Sequence, residues 1–447
     1  MSDDFRQRSR NFVDWLRQSG AIISPKIDLQ DLRSRAAGRG VIALEDIADD
    51  EELFQIPRHS TLATDTSSLS PELRSLTAHD PWLSLILAMV FEYQLGASSK
   101  WKAYFDVLPT HFDSLMFWSE SDLQHLRGSA VVDKIGKEMA DKTFQDTLVP
   151  TIRAHTSAFR AANLSDNDLL SLCHRMGSTV MAYAFDLEPS PVHHTEQDGW
   201  EEDSDDDANG ATLAKGMVPL ADMLNADADR KNAKLYYEDD QFVMRATQCV
   251  SRGDELFNDY GPLPTADTLR RYGYTTVNYA RYDVVEISLE LIHHVAQKQL
   301  DLDNRELETR TAYLESHGVL DTSYDVAHGS NEDGQFSVDL CVLLNALVAP
   351  LEEFAELQKK GRLPTPDLSG RALWFLNCVL DCRAAMYHAP PSQLDIGGID
   401  GRTPTDKDQA TRRATMAARV IQGEKAVLSE AAETIQRHLG DPGKKRK

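Results

Sequence analysis

The sequence has few cysteines, and they are not arranged for metal or disulfide chemistry. Its 447 residues include five cysteines, at positions 173, 249, 341, 378 and 382. No two of them form a CxxC pair, so the sequence predicts neither a structural zinc site nor any other metal site. We expect buried free thiols in a reducing compartment.

Long hydrophobic runs are also missing. The longest apolar stretch, residues 82–95, is interrupted by Ser84, Glu92 and Gln94. It is shorter than the roughly 20 apolar residues that a membrane helix requires. The opening segment, MSDDFRQRSR, is polar and predicts no signal peptide. We therefore expect a soluble intracellular protein with no membrane partner.

Positive charge is scarce: 47 Lys and Arg face 71 Asp and Glu, for a net charge of −24. This excess of acid argues against direct binding of nucleic acid. It suits a basic protein partner, and it also suits solubility alone; the sequence leaves both interpretations open. Residues 196–207 hold eight acids and predict a flexible loop that either attracts a basic substrate or is inert. The adjacent pair His193–His194 is read as inert.

Several catalytic motifs are absent. The sequence contains no GxSxG elbow, no GxxxxGK[ST] phosphate loop, no HExxH and no kinase set. These absences argue against the corresponding hydrolases, nucleotide-binding enzymes, zinc proteases and kinases. The glycines of Gly38-Arg39-Gly40 would let a backbone turn lie against a flat ligand. By itself such a pair is most often an ordinary turn.

The length predicts two or three domains. A first helix is predicted over residues 11–19 and β-rich pieces over 35–58. Helical patterns follow to residue 185, and a hairpin is centred on 238–240. From about residue 290 the pattern is helical almost throughout.

Six ordered motifs carry a family resemblance. They are GRGVIALEDIADDEELFQIPR, SKWKAYFDVLP, FWSESDLQHLRGS, MVPLADMLNADAD, ELFNDYG and RRYGY. In this order they resemble the SET-domain protein lysine methyltransferases. The resemblance is closest to the Rubisco large-subunit methyltransferase-like class, and within it to the fungal ribosomal lysine N-methyltransferase 4 group. It covers residues 11–285 strongly and the remainder by position and length only.

The resemblance implies an α+β fold, in which a β-rich SET fold is split by a helical insert and followed by an all-helical substrate-binding domain. We expect the N-terminal helix and first SET half at 1–67 and the insert at 68–185. An acidic loop is expected at 186–212 and the second SET half at 213–285. The helical domain is expected at 286–440 and a basic tail at 441–447.

The resemblance also implies S-adenosylmethionine as methyl donor and a lysine ε-amine as acceptor. The donor-binding residues that it implies are Gly38, Arg39, Gly40, Tyr183, Asp222, Asn225, Ala226, Tyr260 and Tyr272. Tyr183 stands where many relatives have an arginine, and Ala226 replaces the histidine of the family's Asn-His motif. Tyr260 matches the catalytic tyrosine, and Tyr272 and Tyr274 match the aromatic pair at the lysine channel. A core tyrosine is the competing interpretation of Tyr260.

The sequence leaves three candidate functions open. The first is methylation of a protein lysine, which the resemblance directs to a ribosomal protein of the large subunit, with histones or other nuclear proteins as alternatives. The second is a non-catalytic SET-like module that binds a basic peptide, and the third is a helical scaffold. We expect a monomer. The tail GKKRK favours the nucleus if it is a signal, and the cytoplasm remains open if it is not.

Overall fold

The computed structural model describes residues 2–35, 37–187, 213–238, 240–329, 334–387 and 406–440. The eight acids of 196–207, the pair His193–His194 and the basic tail 441–447 lie outside these ranges. The predicted acidic loop begins at residue 186, but Asp186 and Leu187 still belong to a strand.

The described strands are short and come largely from the two predicted SET halves. They are β1 (Ile22–Ile23), β2 (Ile27–Asp31), β3 (Arg39–Ala43), β4 (Glu52–Pro57), β5 (Leu62–Ala63), β6 (Ala184–Leu187), β7 (Ala214–Met217), β8 (Asn225–Ala226), β9 (Ala233–Glu238), β10 (Gln241–Ala246), β11 (Glu255–Asn258), β12 (Val284–Ser288) and β13 (Ser323–Ala327).

The α-helices lie mainly in the insert and the C-terminal part. They are α1 (Ser2–Gln18), α2 (Pro71–Ser75), α3 (Pro81–Leu95), α4 (Lys102–Phe105), α5 (Glu120–Leu123), α6 (Lys137–Thr143), α7 (Val149–Ala154), α8 (Asp166–Tyr183), α9 (Thr265–Tyr272), α10 (Leu289–Gln299), α11 (Asn304–Glu315), α12 (Val338–Val348), α13 (Leu351–Lys360), α14 (Gly370–Ala385) and α15 (Asp406–Gly440).

Strands from both SET halves combine in each of three sheets. Their orders are β1-β4-β10-β9, β2-β3-β11-β8 and β5-β7-β6. The predicted hairpin is confirmed as β9–β10, in which Phe242 pairs with Tyr237 and Met244 with Leu235. Because strands before and after the insert share these sheets, the insert separates in sequence what the sheets bring together in space.

The insert is built on the buried helix α3. Asp80 caps it by accepting a hydrogen bond from the Leu83 amide at 3.0 Å, and Pro81 is its first residue. Residues 83–92 are all buried, which explains why no polar face interrupts the apolar pattern. Glu92 is buried too, but its carboxylate accepts hydrogen bonds from the Ser67 hydroxyl, the Ser68 amide and the Ser99 hydroxyl at 2.7–2.9 Å.

The C-terminal part is helical, with one addition to the all-helical domain that was expected. Strand β13 pairs antiparallel with β12, so a two-stranded ribbon lies within this part. Both strands bury alternate residues, among them Val285, Ile287, Tyr324 and Val326. Because alternate residues of a strand face the same side, the ribbon turns these four side chains toward the core.

Charged residues dock α15 on the insert. Arg413 donates to Asp113 at 2.7 Å and to Asp122 at 2.8 Å. Glu424 accepts hydrogen bonds from the Ser129 hydroxyl and, at 2.6 Å, from that of Tyr387. These groups are mostly buried, so loss of one partner would leave a costly buried charge.

Two smaller expectations can be checked here. The thiols are unpaired, but only Cys173 and Cys341 are buried; Cys378 is half-buried, and Cys249 and Cys382 are exposed. No helix in the described ranges is long and apolar enough to span a membrane.

Candidate active site

The Gly38–Gly40 turn is fixed by Asn225. The Asn225 amide nitrogen donates to the Arg39 carbonyl oxygen at 3.0 Å and to Glu255 Oε1 at 2.7 Å. Gly38 has a φ of +66°, and a Cβ added to Gly40 would lie 2.6 Å from Glu255 Oε1. The two glycines therefore meet different needs, one for backbone conformation and one for space.

The Arg39 side chain anchors the turn to its surroundings. Its guanidinium donates to the Ser9 hydroxyl at 3.0 Å and to the Val107 carbonyl oxygen at 2.8 Å, and it stacks 3.8 Å from the Phe5 ring centroid. Burial lowers the pKa of Arg39 to about 10. With its side chain engaged in this way, only the backbone of Arg39 is left for a ligand, and its role in donor binding stays a prediction.

A parallel strand pair joins this turn to the second group of predicted residues. Asn225 pairs with Phe257, and Ala226 pairs with Asn258 in β11. Two residues after Asn258 comes Tyr260. The β8–β11 pair thus places the Asn225 segment beside the Tyr260 segment.

Four predicted site residues line one cavity of about 160 Å³. They are Tyr183, Asp222, Tyr260 and Tyr272. Sequence reasoning did not single out the others, which include Trp82, Met181, Phe185, Asp186, Lys215 and Arg271. Lys215 bonds to Asp186 at 2.8 Å and lies 4.7 Å from the Trp82 ring centroid.

The tyrosines form a stack. The ring centroids of Tyr260 and Tyr272 are 4.5 Å apart with an interplanar angle of 14°, and those of Tyr272 and Tyr274 are 6.1 Å apart at 45°. Tyr274 does not itself line the 160 Å³ cavity; it contacts the ring of a residue that does. The structure therefore brings Tyr260 and Tyr272 into one cavity and sets Tyr274 against them.

These phenols stay protonated near neutral pH. Burial raises the pKa of Tyr260 well above its usual value near 10, and the neighbouring tyrosines raise it further. Burial likewise raises the pKa of Tyr183 to about 12 and that of Tyr274 above its usual value. Protonated phenols can donate and accept hydrogen bonds but cannot act as bases.

The end of α9 holds the stack in place. The helix starts at Thr265, and Pro264 occupies the capping position before it. Gly273 ends the helix with a φ of +75°, and a Cβ there would lie 2.6 Å from the carbonyl carbon of Asp113. Gly273 therefore lets the backbone end the helix and pack tightly on the insert, between the two tyrosines Tyr272 and Tyr274.

Asp222 is the buried carboxylate of the site. It is 7% exposed, and its Oδ2 accepts a hydrogen bond from the hydroxyl of Tyr104. Burial raises the pKa of Asp222 to about 7. The sequence predicted Asp222 as a donor-binding residue and placed Tyr104 in the motif SKWKAYFDVLP, but it did not connect the two. The order of the six motifs was the signal that this segment belongs with the site.

A family model of the SET domain matches residues 38–261, about half of the chain. The chain belongs to the SET-domain family. This match includes the turn at Gly38–Gly40, Asn225 and Tyr260, and it ends before Tyr272 and Tyr274.

The SET-domain protein has relatives of known name. It is 34% identical over 325 residues to ribosomal lysine N-methyltransferase 4 of Saccharomyces cerevisiae, covering 70% of this chain and 63% of the relative. It is 32% identical over 272 residues to mouse N-lysine methyltransferase SETD6, covering 59% and 53%. The chain thus spans between half and two thirds of the length of these relatives. The predicted resemblance to the fungal group is confirmed.

Solved structures confirm the fold class. The SET-domain structure of Rubisco LSMT bound to lysine and AdoHcy matches with a TM-score of 0.68 at 19% identity, over 97% of this chain and 91% of that one. Rubisco LSMT bound to AdoMet matches equally well, with a TM-score of 0.68 over 97% and 92%. The SET fold with a helical C-terminal region is therefore common to these proteins.

Proposed function

We propose that this SET-domain protein transfers a methyl group from S-adenosylmethionine to the ε-amine of a protein lysine. One observation carries the proposal: the glycine turn held by Asn225 is joined by the β8–β11 pair to a tyrosine-lined cavity. The named relatives, ribosomal lysine N-methyltransferase 4 and SETD6, support the reaction class.

The residues present fit the donor. A Cβ at Gly38 would meet nothing within 4 Å, so this residue, with its positive φ, leaves an open backbone edge against which a nucleoside can lie. At Gly40 the missing side chain instead makes room for Leu32, Glu255 and Asn225, which hold the turn. Asn225 and the backbone of Ala226 would hold the donor at that edge, with Tyr183, Asp222, Tyr260 and Tyr272 around its reactive end. The donor, when bound, supplies an electrophilic methyl group on a positively charged sulfur.

The cavity can prepare the amine for attack. A lysine enters as an ammonium ion and must release a proton to water before its nitrogen is nucleophilic. The aromatic rings of Tyr183, Tyr260 and Tyr272 in the wall displace water from around the amine, which disfavours the charged form and so lowers the pKa of the amine. The neutral hydroxyl of Tyr260 can then orient the amine, while the stacked rings stabilise nearby positive charge by about 0.5–2 kcal/mol. Alignment of the reacting atoms supplies the largest share of such catalysis.

We further propose that the acceptor is a ribosomal protein of the large subunit. The name of the S. cerevisiae relative, shared by a relative of Schizosaccharomyces pombe, favours a ribosomal substrate. The net charge of −24 suits a Lys-rich partner.

A second candidate substrate follows from SETD6, whose name specifies only a protein lysine. Histones and other nuclear proteins belong to this alternative. We propose a monomeric protein that works in the nucleus, with the basic tail as its signal, and the cytoplasm is the alternative location.

The test is incubation of the protein with tritiated S-adenosylmethionine and, separately, purified large ribosomal subunits, core histones and fractionated extract. The proposal expects label on a lysine of one large-subunit protein. Label confined to histones or another protein would reassign the substrate, and the absence of label from every fraction would contradict the enzymatic function. Mass spectrometry of the labelled band identifies the lysine.

A further inference from the structure

The hydrogen bond between Tyr104 and Asp222 crosses from the insert to the cavity. The partners are 118 residues apart, and their exposures are 0% and 7%. The Tyr104 hydroxyl donates to Oδ2 of Asp222, a residue that lines the cavity with Tyr260 and Tyr272. The other carboxylate oxygen, Oδ1, is buried without a hydrogen-bond partner among the described residues.

The unpartnered oxygen of Asp222 differs from the oxygens of two other buried carboxylates, Glu92 and Asp283. Glu92 is also buried, yet both of its oxygens accept hydrogen bonds, from three donors in total. Asp283 has one unpartnered oxygen as well, but that atom packs against Gly423, where an added Cβ would lie only 1.8 Å away. Of these three carboxylates, Asp222 belongs to the cavity that Tyr260 and Tyr272 line. Since buried polar atoms are normally satisfied, an unpartnered oxygen on a cavity-lining side chain calls for a donor from a bound molecule.

Tyr104 is rigidly held. Its ring stacks with Phe12 at a centroid distance of 5.8 Å and with Trp15 at 6.5 Å. Three residues further on, the Val107 carbonyl oxygen accepts the hydrogen bond from Arg39, in the donor turn. One short segment of the insert therefore fixes both the glycine turn and the carboxylate of the cavity.

We propose that Oδ1 of Asp222 accepts a hydrogen bond from the ammonium or amine N–H of a molecule bound in the cavity, and that Tyr104 is the positioning residue that aims this oxygen. Two ammonium groups meet this description: the ε-ammonium of the acceptor lysine and the α-ammonium of the methyl donor. The tyrosines that share the cavity favour the lysine. The inference rests on the proposed function, because that function brings both groups to this cavity.

The experiment compares wild type with Asp222→Asn, Tyr104→Phe and the double variant. Steady-state kinetics use purified large ribosomal subunits as acceptor, and calorimetry measures the affinity for S-adenosylhomocysteine, which carries the α-ammonium. 5′-Methylthioadenosine, which lacks the amino-acid part, reports whether the donor site is intact in each variant. Tyr324→Phe, a substitution of a buried tyrosine in β13, is the control for loss of a phenol hydroxyl.

If lysine is the partner, Asp222→Asn lowers kcat/KM for the acceptor at least about tenfold through a higher KM, with unchanged affinity for S-adenosylhomocysteine. If the donor is the partner, affinity for S-adenosylhomocysteine falls by a similar factor while that for 5′-methylthioadenosine holds. Tyr104→Phe gives a smaller effect in the same parameter, and the double variant is no worse than Asp222→Asn, because Tyr104 acts through Asp222.

Wild-type kinetics and affinities in folded Asp222→Asn would overturn the inference while leaving the proposed function intact. Additive effects of the two substitutions would overturn the positioning role of Tyr104. A wild-type protein that binds S-adenosylhomocysteine but methylates no lysine would instead overturn the proposed function, and the inference with it.

Discussion

Substitution of Gly40 by alanine tests the donor turn directly. The added Cβ would lie 2.4 Å from Leu32 Cδ1, 2.6 Å from Glu255 Oε1 and 3.0 Å from Asn225 Nδ2. The leucine methyl group can move aside, but Glu255 and Asn225 are bonded to each other, and Asn225 is also bonded to the Arg39 carbonyl oxygen. We therefore expect the methyl group to separate the asparagine from its partners.

The size of the effect follows from the hydrogen bonds at risk. The bond to the Glu255 carboxylate is worth about 1.5–3 kcal/mol and the neutral bond to the Arg39 carbonyl about 0.5–1.5 kcal/mol. If the turn must recover both bonds to bind the donor, the cost is about 2–4.5 kcal/mol and affinity falls by about 30–1,500-fold, since about 1.4 kcal/mol corresponds to a factor of ten. Asn225→Ala removes the same bonds and should weaken binding similarly.

Calorimetry with S-adenosylhomocysteine measures the loss. Gly370→Ala is the matched control, because a Cβ at Gly370, the first residue of α14, meets nothing within 4 Å. Its affinity should equal that of wild type. An unchanged affinity in Gly40→Ala, with the protein folded, would refute the assignment of this turn to the donor.

Three further predictions concern stability and recognition. Burial raises the pKa of Asp222 from 3.8 to about 7, so ionisation of this carboxyl destabilises the fold as pH rises through that range. Asp222→Asn removes this penalty, and it should therefore raise the free energy of unfolding more at pH 8 than at pH 5. The difference between the two pH values is up to about 3 kcal/mol, because about two pH units of the range lie above pH 5. Equal changes at both pH values, measured by denaturant titration, would contradict this. Gly273→Ala should lower the free energy of unfolding by about 2–5 kcal/mol, through left-handed strain and a clash with the Asp113 backbone, and the same titration measures it. Replacing the eight acids of 196–207 by Ser and Asn should raise KM for ribosomal subunits at low salt and flatten its salt dependence, whereas an unchanged KM would leave the stretch without a role in substrate attraction.

Local signals predicted part of the fold. The β9–β10 hairpin was predictable because its turn depends on residues within a few positions of one another. The cap of α3 and the capping boxes before α5 and α8 are equally local features. Strand β13 escaped prediction because its five residues acquire a clear inward and outward face only when paired with β12. The domain boundaries at 67, 185, 212, 285 and 440 remain predictions.

The site divides in the same way. Motif order located the glycine turn, Asn225 and Tyr260, and the structure places these segments together. The contacts that hold them were not predictable, since Tyr104–Asp222 and Arg39–Val107 join residues far apart in sequence. A local sequence pattern does not reveal which distant residue a given side chain will contact.

Ala226 is the departure from the family motif that bears on the choice between enzyme and binding module. It lies in β8 and pairs with Asn258, so its backbone position is set by the sheet. A histidine that acts mainly through its backbone can be replaced here without moving that backbone. The replacement is therefore compatible with catalysis and does not favour the non-catalytic module.

The most direct test compares wild type with Tyr260→Phe, using a deuterated-methyl donor and purified large ribosomal subunits. Mass spectrometry then reads lysine methylation. We predict labelled methyl groups on a lysine of one ribosomal protein with wild type. With Tyr260→Phe we predict at least about a hundredfold slower labelling at unchanged S-adenosylhomocysteine affinity, because orientation of the amine is lost while the donor site remains. Equal labelling by the two proteins, or no labelled lysine with wild type, would contradict the account.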